Sequence, residues 1–319
     1  MISLDRVSKS YNGKPAVDRL SLSVEKGEIC VLIGPSGCGK STTLRMVNRM
    51  VEPDSGTIMV NGTDIRTQTP ESLRRGIGYV IQSIGLFPHM TVSENIGTVP
   101  RLLKWDPQVI RDRVDELLLL IGLDPVRYRS RYPKALSGGE AQRVGVARAL
   151  AADPPIMLMD EPFGAVDPLT RQRLQEEFRE LQQTLHKTVL FVTHDVDEAV
   201  ILADRIGIMR QGTLMQWDHP EKFLQEPADA FVRSFLGADF SLSMLSRLKA
   251  IDFCCQAYPG VAPEKLPAIT SKASLKEAFA VFVATGSEYL RIVDDSGKTL
   301  GHLALIQLLQ PFAGDPHEQ

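Results

Sequence analysis

The residues Gly34, Pro35, Ser36, Gly37, Cys38, Gly39, Lys40, Ser41 and Thr42 follow one another without a break and supply what a polyphosphate needs. They fit G-x-x-x-x-G-K-S. In that pattern the glycines let the backbone turn its N–H groups onto phosphate oxygens, the lysine reaches the β- and γ-phosphates, and the serine hydroxyl can ligate Mg²⁺. Alone, the stretch could be a glycine-rich turn carrying a solvated lysine. Its flanks argue otherwise. Residues 28–33 form a short apolar, β-branched run that reads as a buried strand, and residues 41–50 place apolar side chains at helical spacing. Strand, glycine loop and helix are the context a phosphate cradle requires, and the helix N-terminus adds partial positive charge.

A second apolar run, Ile156-Met157-Leu158-Met159, ends in Asp160 and Glu161. Two acids where a buried strand leaves a sheet can divide the work: Asp160 holds a metal ion and Glu161 polarises an attacking water as general base. The pair could equally cap the strand and open a loop. A further buried strand, residues 188–193, delivers His194 and Asp195. Between the glycine loop and the acid pair, Leu136-Ser137-Gly138-Gly139-Glu140 opens a helix, where a hydroxyl and free backbone N–H groups can meet an anion. An ordinary N-capped helix accounts for Ser137 but not for the glycine pair.

In chain order, the glycine loop, residues 136–140 and residues 156–161 resemble the ATP-binding subunit of an ABC transporter, and the resemblance runs from the N-terminus to about residue 237. The family's signature usually ends in Gln where this chain has Glu140, while residues 141–150 match the helix that follows it. The resemblance implies an ATP hydrolase that uses ATP and Mg²⁺. Residues 34–42 would hold the phosphates, and Tyr11 occupies the place of an adenine-stacking aromatic, although such an isolated ring could equally be packing. Ser41, Asp160 and Gln82, the last in the Q-loop, would serve the metal. Glu161, His194 and Gln82 form the implied catalytic set, with His194 on the γ-phosphate. Ser137, Gly138, Gly139 and the D-loop residue Asp167 would complete the site of a second copy, so that two sites form when two chains meet head to tail. Asp167 also precedes Pro168 as a good N-cap. Residues 83–95 would receive a helix of an integral membrane permease.

These groups must be positioned by an α/β fold: a P-loop NTPase of ABC type, with a mixed β-sheet core, antiparallel β and helical subdomains. Residues 1–30 alternate polar and apolar around turn signals, residues 56–82 continue the β character, and residues 92–153 read as the helical subdomain. The cassette is expected over 1–237. Residues 238–319 form an accessory region, with strand, helix, strand, turn, strand, helix over about 266–309. This resembles a single CBS motif, as a small α+β domain. At the places where nucleotide-binding versions carry a hydroxyl and an aspartate stand Ala304 and Gln307, so adenosine sensing is not expected.

At 319 residues the chain can bury a full core and exceeds one domain, and its net charge of −3 offers no bulk attraction to nucleic acid. The start, Met1-Ile2-Ser3-Leu4-Asp5, has neither the basic residues nor the apolar core of a secretory leader. The four cysteines, 30, 38, 254 and 255, lack zinc spacing and are expected as free thiols, Cys38 being a candidate for thiol reagents. A cassette followed by CBS-like sequence resembles the ATPases of importers for glycine betaine, choline and carnitine. The implied partners are a second copy, permease subunits and, indirectly, a solute-binding protein, at the cytoplasmic face of the inner (plasma) membrane. An importer of another small solute, such as a polyamine or amino acid, and a soluble ABC ATPase are the alternatives.

Overall fold

The computed structural model describes residues 1–81, 85–164, 166–237, 239–255 and 266–312. The chain folds as two compact units, Met1–Asp218 and His219–Gln319. The first opens with strands β1 (Ile2–Tyr11), β2 (Lys14–Val24) and β3 (Ile29–Ile33), helix α1 (Lys40–Val47), strands β4 (Ser55–Val60) and β5 (Thr63–Asp64), helix α2 (Pro70–Arg75) and strand β6 (Ile77–Val80). Helices α3 (Val92–Ile96), α4 (Thr98–Leu102), α5 (Pro107–Leu120), α6 (Pro125–Tyr128) and α7 (Gly138–Leu150) follow. The unit closes with β7 (Ile156–Asp160), α8 (Pro168–Leu185), β8 (Thr188–Val192), α9 (Val196–Leu202), β9 (Arg205–Arg210) and β10 (Thr213–Asp218).

Among the described residues these strands make two sheets, with orders β2-β1-β4-β5 and β10-β9-β3-β8-β7-β6. The first is antiparallel and begins with a hairpin over Asn12 and Gly13, both at positive φ, the backbone that a tight Asn-Gly turn requires. In the second, β9, β3, β8, β7 and β6 run parallel and only β10 is antiparallel. Every residue of β3, β7 and β8 is buried, the mark of parallel strands covered on both faces. Leu44, Met46 and Val47 of α1 share one apolar core with Leu4 and Leu20 of the antiparallel sheet and Leu158 and Leu190 of the parallel one.

Sequence reading placed residues 56–82 in one β region; the structure divides them. Strand β4 joins the antiparallel sheet, α2 starts from the Thr69 cap at Pro70, and β6 crosses to the parallel sheet beside β7. A parallel partner cannot be reached by a hairpin, so a crossover must intervene.

The second unit contains α10 (Pro220–Gln225), α11 (Ala230–Leu236), α12 (Asp239–Arg247), β11 (Ala268–Thr270), α13 (Leu275–Thr285), β12 (Tyr289–Val293) and β13 (Thr299–Ala304). Its sheet has the order β11-β12-β13. Ile269, Leu275, Phe282, Leu290, Ile292 and Leu303 form its core. Ser274 and Glu277 close a capping box on α13, and Gly286 ends it in the left-handed region. The compact units part after Asp218, with α10 on the second unit's side, where Phe223 meets Phe240 edge-on at 6.5 Å. The last described element is a 3-10 helix, Leu305–Phe312, and Gln307 Oε1 accepts from the Ala304 N–H at 2.7 Å.

Candidate functional site

The parallel sheet delivers the chemistry at the C-terminal ends of β3, β7 and β8, the edge where open α/β sheets bind ligands. After β3, the loop is forced by its packing. A Cβ on Gly34 would stand 2.2 Å from the Met209 carbonyl oxygen, and one on Gly39, at φ +109, 2.3 Å from that of Ala16. Pro35, Ser36 and Gly37 form the exposed tip. Lys40 is buried, and its ammonium donates to the carbonyl oxygens of Gly34 at 2.6 Å and Pro35 at 3.2 Å, inside the ring of the loop. Ser41 and Thr42 open α1 half-buried, with Thr43 anchored to the Gly39 carbonyl beneath them. Cys38 is buried and burial pushes its thiol up, so the structure does not support the reagent-accessible thiol that the sequence suggested.

Beside α1, the Ser41 hydroxyl donates to Asp160 Oδ1 at 2.8 Å. Burial pushes the Asp160 carboxyl up, while the Ser41 bond and the Arg45 charge favour its ionised form. A hydroxyl and a carboxylate in contact are hard oxygen donors that suit Mg²⁺. Glu161 sits in the left-handed region, φ 45, clamped by its N–H on the Val192 carbonyl at 2.9 Å. His194 Nδ1 lies 3.4 Å from Glu161 Oε2. Asp160, 119 residues beyond Ser41, and His194, further along the chain after β8, are thus brought with Ser41 and Glu161 into one group.

A support that sequence reading missed holds His194. Thr193 donates its hydroxyl to the buried Glu198 at 2.6 Å and accepts the Asp195 N–H at 3.0 Å. Asp195 caps α9 through the N–H groups of Asp197 and Glu198 and pairs with Arg171 of α8 at 3.3 Å. The spacing of Asp195 and Glu198, an N-cap and the third helical position, was the available signal.

The second group gathers where α7 and α8 begin. Ser137 caps α7 by accepting the Glu140 N–H at 3.3 Å, and Glu140 returns the bond to the Ser137 N–H at 2.7 Å. A Cβ on Gly139 would stand 2.9 Å from Thr170 Cγ2, so the two helix starts are packed together. Asp167 caps α8 through the Thr170 N–H at 3.0 Å. A cavity of about 280 Å³ joins Ser137, Gly138, Gly139, Glu140 and Asp167, with Arg143 and Arg173 on its wall. Tyr11 stands apart at the end of β1, 47% exposed. Gln82 lies outside the described residues. Buried Asn95, another residue sequence reading passed over, holds the turn at Phe87 and Met90 through both ends of its carboxamide.

Residues 17–164 match the ABC transporter family. The osmoprotectant import ATP-binding protein OsmV of Salmonella typhimurium is 47% identical over 94% of this chain and 78% of its own length. The chain belongs to the ABC transporter ATP-binding proteins. The glycine betaine uptake system ATP-binding protein YehX of Escherichia coli is 46% identical over 97% of this ABC protein and 99% of itself. The ATP-binding cassette MJ0796, solved as a dimer in a post-hydrolysis state with ADP and Pi, superposes with a TM-score of 0.62 at 31% identity, covering 69% of this chain and 98% of that one. This ABC protein is therefore an ATP-binding ATP hydrolase with the P-loop fold of an ABC cassette. Among its described residues no helix is long and apolar enough to cross a membrane.

Proposed function

We propose that this chain powers import of quaternary-ammonium osmoprotectants of the glycine betaine, choline and carnitine class. The observation that carries the reading is the reach of the similarity: OsmV and YehX match over 94% and 97% of the chain, well into the second unit. The solute itself is selected by a solute-binding protein and the permease subunits, which this ATPase drives from the cytoplasmic face of the membrane.

ATP lies with its phosphates on residues 34–42 and its adenine against Tyr11. Ser41 and Asp160, with Gln82, would hold Mg²⁺, which would supply charge neutralisation for the phosphates. Glu161 takes the proton of the attacking water, and His194, aligned by its contact with Glu161, donates to the γ-phosphate. Ser137, Gly138, Gly139 and Asp167 of a second copy close the site, so hydrolysis reopens a head-to-tail dimer. The segment around Phe87 passes that motion to a permease, and the second unit, a CBS-like module, joins the two copies.

The test is uptake of labelled glycine betaine, choline and carnitine in cells lacking the chain, at low and high osmolarity. Uptake of at least one solute is lost, and returns with the wild-type chain but not with Glu161→Gln. Unchanged uptake of all three sinks the solute class.

A further inference from the structure

We propose that Tyr128 is a positioning residue for ATP-driven closure: its hydroxyl ties down the Glu140 carboxylate, so that a negative charge at the start of α7 does not oppose the phosphate. This rests on the reading that the start of α7 faces the γ-phosphate of a second copy.

The need arises from the chain's own departure at residue 140. A carboxylate at the third position of a helix favours the helix's positive end, but it competes for that end with any anion bound there. An amide at the same place could close the capping box without the charge. Here both carboxylate oxygens are committed: Oε2 accepts the Ser137 N–H at 2.7 Å, and Oε1 accepts the Tyr128 O–H at 2.5 Å. Charge-assisted bonds of this kind are strong and directional, and they hold the carboxylate in one place at the cavity wall.

Tyr128 is built to hold that position. It is 9% exposed and ends α6, with the Arg131 guanidinium 4.5 Å and that of Arg127 5.7 Å from its ring centre. The Arg131 carbonyl accepts the Val92 N–H at 2.8 Å, and Arg129 pairs with Asp115 of α5 at 3.0 Å. Helices α3 and α5 therefore fix the turn that carries the ring. The Tyr128 bond and the Arg131 charge both favour the ionised Glu140.

Steady-state hydrolysis by the full chain tests the assignment. Tyr128→Phe raises KM for ATP about tenfold, with a smaller change in kcat, because closure across the dimer is impeded. Binding of a fluorescent ATP analogue at the chain's own loop stays unchanged. Removing the charge restores function: Tyr128→Phe/Glu140→Gln returns to within about twofold of Glu140→Gln alone. A purely structural loss of the hydroxyl would not be rescued, so a double variant as impaired as Tyr128→Phe overturns the proposal, as does an unchanged KM in Tyr128→Phe. Gly138→Asp separates the two layers. If it is impaired while Tyr128→Phe is normal, only the role of Tyr128 falls; if it hydrolyses normally, the phosphate-facing reading falls and takes this proposal with it.

Discussion

Asp160 and Glu161 are adjacent acids with opposite surroundings, and that contrast is the argument for their different roles. Asp160 ends a fully buried strand, with a hydroxyl donor at 2.8 Å and burial working against its charge, which suits a group completed by a cation. Glu161 has turned out of the strand into the left-handed region, where its carboxylate reaches His194 instead. Replacement of Glu161 by Gln keeps the shape and removes the proposed base. ATP binding is then retained while single-turnover hydrolysis falls by about 10²-fold or more, the scale of a positioned general base. A variant that hydrolyses at the parental rate removes Glu161 from that role. Both acids were legible in the sequence because an apolar run ending in acids is a local pattern. The assistance of Thr193, Glu198 and Arg171 was not, since Arg171 comes from a different helix and reaches Asp195 only in the fold.

At the scale of elements, the loop between β3 and α1 is shaped as much by distant backbone as by its own glycines. The Gly39 position meets the Ala16 carbonyl from β2, and the Gly34 position meets that of Met209 from β9. Gly39→Ala would need both an unfavourable φ and a displaced strand, a combination that costs about 2 kcal/mol or more. The expected outcome is a cassette that melts earlier and binds ATP at least tenfold more weakly, read by calorimetry and nucleotide titration; a variant with parental affinity would show that the loop tolerates the shift. The sequence pattern names the glycines, yet it does not say which two abut a carbonyl. Strand β6 makes the same point for topology. Its partner β7 lies beyond all of α3 to α7, and nothing local in residues 77–80 distinguishes a parallel edge strand from an antiparallel one.

At the scale of the molecule, the described residues include an apolar core around α1 in the first unit and another around β12 and α13 in the second. Leu290 is fully buried in the second core. Leu290→Ala should cost about 2–5 kcal/mol in that unit while the chain's affinity for ATP stays at the parental value; a matching loss of ATP affinity would show that the tail's core supports the nucleotide site. The sequence by itself determined the phosphate loop, the acids of β7, the capped glycine start of α7 and the strand–helix–strand–strand order of the tail. Each depends on residues within one turn or one strand, where spacing translates directly into geometry. Only the tertiary structure decided that β6 belongs to the parallel sheet, that the units part at Asp218, that Cys38 is sealed, and that Tyr128 takes hold of Glu140. Those outcomes depend on backbone and side chains brought together across long stretches of chain, and a linear pattern carries no record of which distant groups will share a wall.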